Sequence, residues 1–165
     1  MKYLAGYPAA LLAGVPALIQ DGRLAATVLQ RYPEPHGVRT DGALYDYVCE
    51  LKAQHLRKSE PLAKAVFDSK LHTVRNALGT HTTVSRVQGN KLKAKREIRV
   101  ASLFKDAPAA FLRMIVVHEL AHLKEREHDR AFYALCRHMA PDYHQLEFNV
   151  RLWLTGLEQE AAASG

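Results

Sequence analysis

The spacing of apolar residues changes character twice along the chain. Over residues 9–19 and 24–31 they come in Ala- and Leu-rich runs. Between residues 41 and 57, Leu44, Val48, Leu51 and Leu56 approximate one face of a helix, with Thr40 or Asp41 placed to cap it. The intervening YPEPHGVRT (32–40) predicts a loop, since prolines and a glycine interrupt any regular pattern. From residue 64 to 102 β-branched and aromatic residues increase, and turn residues recur at Asp68-Ser69, Gly79 and Gly89-Asn90. This predicts strands at 65–67, 71–75, 82–87 and 95–102. Leading into and along the last, Leu92, Ala94, Ile98 and Val100 alternate with Lys91, Lys93, Lys95, Glu97 and Arg99, with only Arg96 breaking the apolar face. That is the pattern of a half-buried antiparallel strand with a basic outer face. A lysine-guarded solvated edge explains it more simply than a binding stripe.

Helical spacing returns after Asp106, a candidate N-cap with Pro108 in the first turn, and runs through Phe111, Leu112, Ile115 and Val116 into HELAH at 118–122. A second helix is expected from near His128 to just before Pro141. A third should run from about Asp142 to Glu160, carrying Leu146, Val150, Trp153, Leu154 and Leu157. The closing AAASG is expected to fray.

Length and composition add bounds. A chain of 165 residues, 48% hydrophobic and 24% charged, is the size and make-up of one globular domain. We read residues 1–58 as its helical N-terminal part and 62–160 as a sheet with a helical core. Cys49 and Cys136 are the only cysteines and form no Cys-x-x-Cys motif, which excludes a thiolate metal site and fits a reduced, cytoplasmic setting. Pro8 and Pro16 interrupt the apolar N-terminal run, so a packed helical segment is expected there in place of a signal peptide, and no apolar run is long enough to span a membrane. The net charge of +6 favours anionic partners, nucleic acid and nucleotide phosphates among them, without choosing between them.

The chemistry concentrates at HELAH. His118 and His122, four apart on a helix, put two imidazoles on one face where they can share a metal ion. Glu119, beside the first ligand, can reach a metal-activated water and act as its base and then as the acid for the leaving group. A catalytic zinc needs a third protein ligand. His128 is the preferred one, since the charged stretch 124–127 gives the chain room to turn back; Glu147 is held in reserve. The expected cofactor is therefore one Zn²⁺ per chain. His138, Tyr143 and His144 lie near enough in sequence to contact the site, Tyr143 as an oxyanion donor, although packing or surface roles suit each better. His81, in LGTHTTVSR, would line a cleft if its segment is a strand, while His36, His55 and His72 fall outside any motif.

The runs HELAHLKEREHDRAFYALCRHM, NALGTHTTVSRVQG, EIRVAS and YHQLEFNVRLWL closely resemble the YgjP-like metal-dependent hydrolases, in the zincin-like group that includes the WLM and SprT-like metallopeptidase domains. The resemblance covers most of the chain. It implies an α+β zincin-like fold, a small twisted and mostly antiparallel sheet packed against the HExxH helix with additional N- and C-terminal helices. It also implies zinc on His118, His122 and His128, with Glu119 as general base and acid. The activity implied is metallopeptidase, acting on peptide or protein. UTP pyrophosphatase activity at the same metal is the alternative, and a nucleic-acid-associated protease of SprT-like type a further one. Glu125 stands where metzincins carry glycine, and no Met-turn is evident, so membership of that group is not expected.

Overall fold

Side-chain caps set the starts of two helices, at Thr40 and Asp129. The computed structural model describes residues 2–71, 82–88 and 91–165, with side chains for all of these but 82–88 and 91–95. The N-terminal part forms short helices, α1 (Val15–Gln20) and α2 (Leu24–Leu29), after 3₁₀ turns at Lys2–Leu4 and Ala9–Leu12. Helix α3 (Asp41–His55) begins where expected, with the Thr40 hydroxyl accepting from the Ala43 amide at 3.1 Å. Its buried residues are Leu44 and Val48.

The sheet has three strands, β1 (Lys64–Asp68), β2 (Thr82–Gln88) and β3 (Lys91–Ala101), in the order β1-β3-β2. This corrects the expectation of a mostly antiparallel sheet. β3 pairs antiparallel with β2 but parallel with β1, so the sheet is mixed. β3 is also central, not an edge. Its two faces differ in the expected sense, since Ile98 and Val100 are fully buried. Yet Glu97, assigned to the outer face, is buried too, and it shares the Arg99 guanidinium with Asp68 of β1, at 3.4 and 3.1 Å. The expected strand at 71–75 lies outside the described residues except for Leu71, which ends a 3₁₀ turn.

Asp106 does not cap the next helix. It closes a 3₁₀ turn (Ser102–Asp106) and pairs with Arg39 at 2.9 Å, and α4 (Ala109–Ala121) starts after Pro108. From Phe111 to Ala121 every residue of α4 but Arg113 is buried. A helix apolar on all sides belongs in the interior, and α4 contacts β3, α3, α5 (Arg130–Met139) and α6 (Tyr143–Ser164). The C-terminal residues 161–164 continue α6 instead of fraying.

Helix α6 holds the N-terminal part against the core. A Cβ at Gly156 would lie 2.5 Å from the Ala25 amide nitrogen and 2.9 Å from its Cβ, so α2 approaches α6 closer than any side chain at 156 permits. The Arg151 guanidinium donates to the Tyr3 carbonyl at 3.2 Å, and Lys2 pairs with Glu158 at 2.9 Å. Gly156→Ala should cost about 1–3 kcal/mol through overpacking. Urea denaturation measures this, and an unmoved midpoint would show that α2 yields without penalty.

Candidate metal centre

The centre is built at the C-terminal end of α4. His118 and Glu119 lie in its last full turn, both buried, and His122 is the residue that caps it. After His122 the chain folds back on itself, with the Lys124 and Glu125 amides donating to the Ala121 carbonyl at 3.1 and 2.9 Å. This carries His128 back over the helix end. Asp129 then caps α5, its carboxylate accepting from the Phe132 amide at 2.9 Å. The cap fixes the Phe132 ring among the three imidazoles, with centroids 5.0, 4.5 and 4.9 Å from His118, His122 and His128.

One ring nitrogen from each of His118, His122 and His128 lies within 4.8 Å of the others. The remaining nitrogens show how the rings are held. His122 Nδ1 is 2.9 Å from the Glu125 carbonyl, which can only accept, so Nδ1 carries the proton and Nε2 a lone pair. That Nε2 faces His128 Nε2 at 2.9 Å, a distance that demands a proton or a cation between two lone pairs. His118 Nδ1 is 2.8 Å from the Tyr143 hydroxyl, and His118 Nε2 is buried with no hydrogen-bond partner. A buried imidazole nitrogen beside two others is a donor set with room for a divalent cation.

Electrostatics agree with this arrangement. Burial holds His118 well below the usual imidazole range, and the neighbouring His122 and His128 add to the effect. His122 is lowered too, chiefly by burial, although its bond to the Glu125 carbonyl opposes this. Neutral imidazoles are the ligating form. Glu119 is fully buried, and desolvation pushes its carboxyl up to about 8. A cation beside it would favour the carboxylate and return it to the state a general base requires.

The other expected residues divide. Glu147 is not in the histidine cluster, and its carboxylate takes the Arg151 guanidinium at 2.9 and 3.3 Å, one turn along α6. Tyr143 lies at the start of α6, fully buried against His118 and not open to substrate, and burial pushes its phenol far up. His144 accepts from Arg137 at 3.2 Å on the surface, and exposed His138 meets His55 edge-on at 5.6 Å. His36 is structural, bonded to the Phe104 carbonyl and the Val38 amide at 2.8 and 3.0 Å. Cys136 is buried and its thiol pushed up to about 12, chiefly by burial, which rules out a ready nucleophile. Cys49 is half-buried. His72 and His81 lie outside the described residues, as do the side chains of Arg86, Lys91, Lys93 and Lys95. The suggested nucleic-acid contact through that basic strand therefore draws no support from the structure. Among the described residues no helix is long and apolar enough to cross a membrane. Two contributors escaped sequence reasoning, the Glu125 carbonyl and Phe132; for Phe132 the signal was the Asp129 cap three residues earlier.

A helix that ends in two histidines and a buried glutamate, with a third histidine folded back onto it, is compatible with the class of metal-dependent hydrolases. Within that class the chain belongs to the YgjP-like family, whose model, described as the YgjP-like metallopeptidase domain, matches residues 50–151. It is 59% identical over 157 residues to a protein of Escherichia coli (strain K12) named UTP pyrophosphatase, spanning 95% of this chain and 94% of that one. No solved structure matches it. The protein is thus a hydrolytic enzyme of that family.

Proposed function

We propose that the protein is a metal-dependent nucleoside triphosphate pyrophosphatase that acts on UTP, with zinc held by His118, His122 and His128. The observation that carries this reading is near-full-length similarity to a protein of that name, at 59% identity. The donor set supports the metal assignment, since three neutral imidazoles suit zinc better than magnesium, which prefers oxygen ligands. A cation there supplies positive charge that acidifies water and offsets charge on phosphate oxygens.

Release of pyrophosphate breaks the anhydride between the α- and β-phosphates and consumes one water. Glu119 takes the proton of the attacking water on its carboxylate. The new P–O bond forms as the bridging P–O bond breaks, leaving UMP and pyrophosphate. The dry surroundings of Glu119 keep it basic enough to do this near neutral pH. His118 and His122 stay neutral throughout, and Phe132 keeps their rings from turning.

Peptide hydrolysis is the second reading. One observation favours it: His118, Glu119 and His122 form the HExxH arrangement of zinc peptidases, and the family model is described as a metallopeptidase domain. The identity of the whole-length relative outweighs this. The zinc-loaded protein should release pyrophosphate from UTP saturably, with no cleavage of unfolded casein. Casein cleavage without pyrophosphate release would reverse the assignment.

A further inference from the structure

We propose that Tyr143 is a positioning residue that locks His118 in its Nδ1–H tautomer, so that the Nε2 lone pair points into the histidine cluster. This rests on the reading of that cluster as a metal centre. A neutral imidazole carries one proton on two nitrogens, and only the nitrogen without it can ligate. If the Tyr143 hydroxyl donated to Nδ1, His118 would turn an N–H toward His122 and His128 and close the site to a cation. The direction of one hydrogen bond, 2.8 Å long and wholly buried, therefore decides whether His118 can ligate.

The other ring nitrogen sets that direction: His118 Nε2 is buried without a hydrogen-bond partner, so a proton there would be stranded, whereas a lone pair there is what a cation takes. The proton then sits on Nδ1, and the Tyr143 oxygen accepts from Nδ1–H. His122 is held in the same tautomer by the Glu125 carbonyl at 2.9 Å, so the two helix-borne ligands are set alike by different acceptors.

The phenol is also held in place. Asp142, just before it, pairs with Arg113 of α4 at 2.9 Å, five residues before His118. This clip joins the start of α6 to the helix that bears the ligand.

Nitrogen-15 NMR of the metal-free wild type should find His118 protonated at Nδ1; protonation at Nε2 overturns the proposal whatever any variant does. Tyr143→Phe should bind Zn²⁺ about 10–100-fold more weakly in a chelator competition. Its metal-free spectrum should show His118 losing the single tautomer while His122 keeps its own. Unchanged zinc affinity with an unchanged tautomer overturns the positioning role alone. A wild type that binds no zinc removes the metal centre as well, which separates the two failures, and neither measurement involves a substrate.

Discussion

Glu119→Gln should leave the protein folded and metal-loaded while its hydrolytic rate falls about 10²–10⁴-fold, the usual contribution of a general base. Glutamine matches the shape of a protonated carboxyl, and the buried Glu119 side chain favours that protonated form in the absence of a cation. The substitution removes a buried ionisable group without opening a cavity, so thermal stability of the metal-free protein should not drop. The effect on rate corresponds to about 3–5 kcal/mol of transition-state stabilisation. Side-by-side rates on UTP with metal content determined for both proteins make the measurement. A variant that turns over at the wild-type rate would remove Glu119 from the chemistry, and one that has lost its metal would make it a structural support.

The double variant His118→Ala/His122→Ala should fall from about one zinc per chain to almost none. On the proposed ligand set each imidazole would contribute roughly 3–5 kcal/mol of metal binding, taking the 10–16 kcal/mol of a full zinc site as the scale. The two residues differ in what else they hold. His118 is buried between Phe132 and the Tyr143 hydroxyl, so its loss leaves a void and a stranded phenol, costing about 2–4 kcal/mol of stability besides the metal. His122 is half-exposed, and its removal alone should cost the metal with little of the fold. Elemental analysis with urea denaturation of both single variants separates these contributions. Full zinc retention in the double variant would place the metal elsewhere.

What was legible beforehand followed from local rules. HELAH could be read because a four-residue spacing on a helix is a geometric statement, and His128 because a charged stretch of turn length precedes it. Thr40 was readable as a cap because its hydroxyl serves an amide three residues away. The failures are non-local. Asp106 has every local qualification for an N-cap, yet Arg39, far off in sequence, takes its carboxylate. The alternation in β3 foretold its apolar face but not its partners; pairing with β1 is parallel, and the buried Glu97 shares Arg99 with Asp68 of that strand. Tyr143 could be seen as an aromatic near the site, whereas its bond to His118 depends on how α6 docks on α4.

Helix α6 has a consequence beyond its own packing. Its first turn meets His118, while its later turns are gripped by Tyr3, Ala25 and Lys2 from a part of the chain that precedes residues 50–151. The helix acts as a beam loaded at one end and anchored at the other. Residues 50–151 carry every proposed ligand but not the anchor, so the segment that defines the family is not a portable module. Grafted alone onto another scaffold, it would bring the three imidazoles and leave the beam that aligns one of them unsupported.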